Sequence, residues 1–273
     1  MIRPVIKWSG SKRKFASEIS RWIPEQGVYF EPFVGGGAIL GTIGPRKGFA
    51  GDIIPELIDL WKFIKSDPKS LAQNYESHWK KLQAQGHTYY YEVRANFNLN
   101  RTPGELLFLS RTCVNGLIRF NREGNFNNSL HHTRPGIHPD SLRIIIQDWS
   151  RRIADTDFFA TDFLELTSSA KKGDVVYLDP PYMGTKGRYQ NVSFDFDRLW
   201  SCLEDLNRRN VKWILSLDGS SGSRDYSKEL EVPLLLSKQS FLLDGESSPF
   251  PRLLNQRQDL VKESMFLNFD LKK

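Results

Sequence analysis

The run Gly27-Val28-Tyr29-Phe30-Glu31-Pro32-Phe33-Val34 is short, apolar and aromatic; it stops at Gly35-Gly36-Gly37 and gives way to Ala38-Ile39-Leu40. A strand, a glycine turn and a helix start therefore follow one another directly. The pattern recurs. Gly48-Phe49-Ala50-Gly51-Asp52 reads as a second brief strand with an acid at its end, and the stretch from Pro55 to Ile64 carries helical apolar spacing. Further strand candidates are Phe158 to Asp162, Asp174 to Asp179, Val211 to Leu217 and Ser264 to Phe269. Such alternation predicts an α/β fold around a parallel sheet. Ligands of these sheets bind at the carboxyl ends of the strands, so the residues that close each strand are the candidates for chemistry.

Between about Ser66 and Ser150 the texture changes. Polar helical stretches carry Trp79, Tyr89, Tyr90, Tyr91 and Phe97, and a segment dense in Asn, Arg and Gly follows. This reads as an inserted lobe at residues 66–150, with residues 1–65 and 151–273 forming the sheet domain. A chain of 273 residues is long enough for one large domain with such an insert. A formal charge of +6 suits a polyanionic partner. The chain lacks an apolar stretch of the roughly 18 residues that a membrane span needs. Its start, Met1-Ile2-Arg3-Pro4-Val5-Ile6-Lys7-Trp8, does not read as a secretory signal, so the cytoplasm is the expected compartment. Cys113 and Cys202 fit no disulfide or zinc pattern and read as buried small hydrophobes. His131, His132 and His138 lack an acid or cysteine at ligand spacing, so no metal site is expected.

Asp179-Pro180-Pro181-Tyr182 closes an apolar strand with an acid, two prolines and an aromatic ring. Consecutive prolines fix φ and carry no N–H donor, so the turn is rigid and its carbonyls can face a ligand. Asp179 and the Pro180 carbonyl could accept both hydrogens of an exocyclic amine while Tyr182 stacks on its planar ring. The plainer reading is that these residues only end a strand. Glycines at 35–37 suit close backbone approach to a ligand. Leu40 stands where a dinucleotide fingerprint wants a further glycine, and no Gly-Lys-Ser/Thr follows, so both phosphate-binding patterns weaken. Asp52 closes its strand as a candidate acceptor for ribose hydroxyls, or as the acid of a helix N-terminus.

Taken in order, these blocks resemble the Dam-like, D12-class adenine-N6 DNA methyltransferases over nearly the whole chain. Lys7-Trp8-Ser9-Gly10-Ser11-Lys12 resembles the family's K-W-x-G-x-K block, Glu31 to Gly37 its cofactor loop, Asp52 its ribose acid and Asp179 to Tyr182 its catalytic D-P-P-Y. The order of loop, insert and D-P-P-Y is that of the family's α group. The resemblance implies a Rossmann-like S-adenosylmethionine-dependent methyltransferase sheet, with a mostly helical target-recognition lobe containing a β-hairpin. Trp8, Ser9, Gly10 and Lys12 would hold the methionine part of S-adenosylmethionine, with Lys12 near its carboxylate. Glu31, Pro32, Phe33, Gly35 and Gly37 would line the cofactor, Asp52 and Ile53 would meet its ribose, Asp162 and Phe163 its adenine, and Asp179 would border it as well. Without the resemblance, Lys12 is one cation of the patch Lys12-Arg13-Lys14.

Within the insert, Arg111 to Asn127 resembles the family's hairpin with its N-G-L-x-R-[FY]-N and G-x-F-N patterns. Asn115, Leu117, Arg119, Asn121, Arg122 and Asn127 would then touch DNA, Arg119 at a guanine edge and Leu117 as a wedge beside the stack. GATC-modifying relatives continue G-x-F-N with a proline and Phe-Gly; Asn128-Ser129-Leu130-His131 follows here, which argues against GATC. Arg257 to Asn268 looks more like restriction-modification members than solitary enzymes, which would pair the protein with a separately acting endonuclease. The expected activity is site-specific transfer of a methyl group to N6 of a flipped adenine in duplex DNA, by a monomer associated with the nucleoid, leaving S-adenosylhomocysteine and using no metal. Cytosine-N4 methylation needs the same geometry but more often has Ser at the position of Asp179. A DNA-binding regulator without turnover, or a nicotinamide-dependent oxidoreductase, are alternatives that the intact D-P-P-Y disfavours.

Overall fold

The computed structural model describes residues 2–8, 10–133, 136–181, 194–220, 233, 235–245 and 261–271. Ser9, Tyr182 and Arg257 to Leu260, singled out above, lie outside them. Seven strands form one sheet in the order β3-β2-β1-β4-β5-β7-β6. They are β1 (Tyr29–Glu31), β2 (Gly48–Asp52), β3 (Thr156–Ala160), β4 (Val175–Leu178), β5 (Lys212–Ser220), β6 (Gln239–Gly245) and β7 (Val261–Leu267). The pairs β1·β2, β1·β4, β2·β3 and β4·β5 are parallel, whereas β7 runs antiparallel to both β5 and β6. The strand order reverses between β1 and β4, which opens a crevice beyond their carboxyl ends. Glu31 and Asp179 stand at that crevice.

Local chemistry sets the helices. The first two, α1 (Ala16–Trp22) and α2 (Ala38–Ile43), flank β1. In α3 (Pro55–Ser66) a proline occupies the first turn, where its missing N–H costs nothing, and Leu57, Ile58, Leu60, Trp61 and Ile64 make one buried stripe. The insert begins with α4 (Pro68–Gln85), whose first turn is capped by Asp67 accepting from the Ser70 N–H at 3.0 Å. It continues through α5 (His87–Asn100), α6 (Pro103–Thr112) and α7 (Pro139–Arg152). Tyr75, Tyr90, Phe97 and Phe108 fill its interior; of the aromatics that mark the change of texture, Tyr89, Tyr90 and Phe97 are buried, Trp79 is half-buried and Tyr91 is exposed. The short α8 (Phe163–Thr167) and α9 (Phe196–Arg208) complete the order, with Leu199, Cys202, Leu203 and Leu206 as the buried face of α9.

One apolar core runs from the sheet into the insert. Its junction is aromatic: the Trp61 ring lies 5.0 Å from Trp149 and is stacked at 5.8 Å on Phe158. Trp149 also donates its indole N–H to the Arg3 carbonyl at 2.8 Å. Gly41 makes this packing possible, because a Cβ there would stand 2.4 Å from Trp149 Cη2. Both cysteines are free and buried. Among the described residues no helix is long and apolar enough to cross a membrane.

β6 goes unforeseen in the sequence. It is an edge strand with Phe241 and Leu242 partly exposed, so it shows neither clean alternation nor a continuous apolar run.

Candidate active site

The glycine turn after β1 is tied to the end of β2. Gly35 has φ +44°, and a Cβ on it would stand 2.6 Å from Trp8 Nε1, so the indole of Trp8 lies directly on the turn. The Gly35 carbonyl accepts from Trp61 Nε1 at 3.0 Å, and its N–H donates to Asp52 Oδ2 at 3.2 Å. The other oxygen of Asp52 accepts from the Ile54 N–H at 3.2 Å. Gly37, at φ +65°, ends the turn as the residue before α2. Asp52 is thus held by backbone donors on both oxygens. Burial pushes its carboxyl up to about 6, against the pull of those donors. Beside it Ile53 is 52% exposed, an apolar surface at a strand end.

Beyond β3, Asp162 caps α8 through the Leu164 N–H at 3.0 Å and accepts from Arg198 Nη2 at 2.9 Å. The next residue, Phe163, is buried against Phe33, with ring centroids 5.4 Å apart. Phe194 meets both rings at 5.7 Å, and Arg198 lies over Phe163 at 5.3 Å. Pro32, before Phe33, is buried. Arg198 and Phe194 have no motif to flag them; only the fold brings them to Asp162. A carboxylate held for hydroxyls, an exposed Ile and a cluster of three mutually tilted aromatic rings suit the ribose and adenine of S-adenosylmethionine.

At the end of β4, Asp179 keeps 19% of its side chain exposed, Pro180 is buried and Pro181 exposed. Asp179 Oδ1 accepts from Lys12 Nζ at 2.6 Å. Lys12 is 3% exposed and leaves the 3-10 turn Lys12–Lys14, next to exposed Gly10. Its ammonium also stands 3.3 Å from Glu263 Oε1 on β7, and that oxygen accepts from Ser216 Oγ at 2.7 Å. Glu31 is buried below the glycine turn, where it accepts from Tyr29 Oη at 2.7 Å and from the Leu40 N–H of α2. Burial raises all three carboxyls: Glu31 to about 8, Glu263 to about 7, and Asp179 against the opposing pull of Lys12. The structure thus gathers Lys12, Glu31 and Asp179 into one cluster and adds Glu263 and Ser216. Glu263 is flanked by Lys262 and Ser264 in its strand, so the sequence holds no signal that marks it.

In the insert, Phe120 and Phe126 bridge antiparallel, with the Asn127 N–H donating to the Arg119 carbonyl at 3.1 Å, and Cys113 bridges Leu130. The expected hairpin exists as these bridges around a tight turn, not as long strands. Asn121 serves that turn by accepting from the Asn125 N–H at 2.8 Å. Arg119 donates through Nε to Asn127 Oδ1 at 2.8 Å, a contact that does not use its terminal fork. Arg119 and Arg122 are exposed, as is Asn115 at φ +57°, while Leu117 is half-buried. The departure Asn128 proves to be a clamp: its amide donates to the Val114 and Leu117 carbonyls, both at 2.9 Å, and so fixes the turn that presents Asn115.

With this geometry in hand, the profile of the D12 class N6 adenine-specific DNA methyltransferases matches residues 8–240. The chain belongs to that family. Among similar proteins, the DNA N-6-adenine-methyltransferase of Escherichia phage P1 is 29% identical over 90% of this chain, which spans only 34% of the phage protein. The Type II methyltransferase M.MjaIII of Methanocaldococcus jannaschii is 27% identical over 98% of this chain and 99% of its own length. The DNA adenine methylase of Haemophilus influenzae is 31% identical over 66% of this chain and 64% of its own. The methyltransferase is therefore an adenine-N6 enzyme acting on DNA, and such enzymes as a class draw on S-adenosylmethionine. The comparisons lend nothing to cytosine N4 or to a regulator without turnover.

Proposed function

We propose that Asp179 and the Pro180 carbonyl accept the two N6 hydrogens of an adenine flipped out of duplex DNA, at the crevice between β1 and β4. The supporting observation is the state of Asp179: one oxygen is held by buried Lys12, while a fifth of the side chain stays open to a ligand (19%). Accepting both hydrogens localises the nitrogen lone pair and aims it in line with the donor methyl. Positive charge grows on the nitrogen as the new bond forms, and the adjacent carboxylate stabilises it before the proton leaves. Tyr182, next after Pro181 in the chain, stacks on the flipped base in this reading.

When bound, S-adenosylmethionine supplies a methyl group already activated by its sulfonium and leaves as S-adenosylhomocysteine, so the reaction asks for no metal. Asp52 takes the ribose hydroxyls with Ile53 alongside. Phe33, Phe163 and Asp162 receive the adenine, and Trp8, Ser9 and Gly10 flank the methionine end. Lys12, expected at the methionine carboxylate, is instead buried against Asp179 and Glu263 and acts through Asp179, while Glu31 acts through the turn. Residues 66–150 form the target-recognition lobe, with Asn115, Leu117, Arg119, Asn121, Arg122 and Asn127 on its DNA face. We further propose a cytoplasmic, nucleoid-associated monomer, serving beside a cognate restriction endonuclease.

Two variants test this division of labour. Asp179→Ala should abolish methylation while sparing affinity for DNA. Asp52→Ala should weaken S-adenosylmethionine binding by about 10-fold or more, the scale of one or two lost hydrogen bonds to a charged group. A folded Asp179→Ala that still methylates, or an Asp52→Ala with unchanged cofactor affinity, contradicts the placement.

A further inference from the structure

Glu263 has no role in the reaction as described, yet only 2% of its side chain is exposed. A carboxylate that far from water persists only with partners. Its partners lead to the reacting site. Ser216 Oγ on β5 donates to Oε1 at 2.7 Å, and Lys12 Nζ lies 3.3 Å from the same oxygen. The other side of that ammonium contacts Asp179 Oδ1 at 2.6 Å. The charge of Asp179 helps to raise Glu263. Tyr177, on β4 two residues before Asp179, is buried close enough for both acids to raise its phenol further. Glu31 faces the group from β1 and feels the charge of Asp179. One ammonium is therefore shared by two carboxylates, with a third acid and a phenol around them.

We infer that Glu263 is a positioning residue for methyl transfer: by holding Lys12 between itself and Asp179, it sets where Asp179 presents its open oxygen and how strongly that oxygen accepts. The inference rests on the proposal that Asp179 receives the target amine. Lys12 divides its charge between two acids, so it neutralises Asp179 only in part. Glu263→Gln keeps the shape and can still accept from Ser216 and Lys12, but removes one negative charge. The ammonium then faces one carboxylate charge fewer. Above about pH 7, where wild-type Glu263 is ionised, Asp179 becomes a weaker acceptor for the amine in the transition state.

The test is single-turnover methylation from about pH 5 to about pH 9 for the wild type, Glu263→Gln and Ser216→Ala, alongside binding of DNA and S-adenosylmethionine. Glu263→Gln should slow the step about 10-fold above about pH 7, where wild-type Glu263 is ionised, and differ less near pH 5, where that carboxyl is protonated. Both dissociation constants should stay within about twofold, a difference too small to signal a lost contact. Ser216→Ala, which removes the hydrogen bond to Glu263, should lower the rate above about pH 7 by less, and it carries the test should Glu263→Gln fail to fold. A wild-type rate above about pH 7 in either folded variant overturns the inference. Failure of the wild type to methylate adenine would instead remove the reading beneath it.

Discussion

Lys12→Met is the sharpest perturbation of the site, because Met keeps an unbranched chain only one atom shorter and removes the charge and donors. Asp179 and Glu263, at 2.6 and 3.3 Å, then share a buried space without their ammonium. Breaking a buried ion pair by removing one partner costs about 3–5 kcal/mol, and each kcal/mol lowers Tm by about 2–4 °C in chains somewhat shorter than this one. Water reaches Asp179 through its 19% exposure, which places the expectation at the lower end, a fall of about 10 °C at pH 8. The sign with pH follows from what Lys12 does now: it lowers both carboxyls, so its loss lets both rise further. Groups that are protonated when folded but ionised when unfolded penalise folding progressively as pH climbs above about 4, the unfolded carboxylate value. The gap to wild type should therefore widen from about pH 5 to about pH 8, and Lys12→Met with Glu263→Gln should recover part of it. Thermal melts followed by circular dichroism read all three quantities. A gap that is constant with pH, or no recovery in the double variant, would refute the shared-ammonium arrangement.

Glu31→Gln should gain stability on wild type as pH rises. Burial holds Glu31 at about 8, so the folded wild type retains a proton that the unfolded chain has released above about 4.5, a penalty that the amide does not share. Melts at about pH 5 and about pH 9 check the direction, and a difference that shrinks on raising the pH contradicts it. Gly41→Ala sets a methyl 2.4 Å from Trp149 Cη2, and overpacking of about 1–3 kcal/mol should outweigh the gain of about 1 kcal/mol from alanine in a helix. Urea titration should show net destabilisation. Asn128→Ala removes the donors to the Val114 and Leu117 carbonyls, so specific DNA affinity should drop while S-adenosylmethionine affinity holds; equilibrium binding of each ligand separates the two.

Much of the frame is legible in the sequence because strands that end in glycine or acid announce both a parallel sheet and its ligand-facing edge. Glu31, Asp52, Asp162 and Asp179 stand at the strand ends where that reading places them. Less legible is what each does there. Glu31 and Lys12 are motif residues, yet both side chains are buried, one under α2 and the other between two acids. The pattern of a motif reports which residues matter, whereas burial is set by strands distant in sequence. Glu263 and Ser216 show the same limit, since their meeting depends on β7 entering the sheet antiparallel beside β5. Asn128 reads as a departure from a pattern, and only the fold shows the carbonyls that it satisfies.

The central claim is transfer of a methyl group to adenine N6, and its direct test is nucleoside analysis of unmethylated genomic DNA incubated with the protein and methyl-labelled S-adenosylmethionine. Label recovered in N6-methyladenine, and lost with Asp179→Ala, is the predicted result. Label in N4-methylcytosine, or none from a folded protein that binds both ligands, would contradict the account.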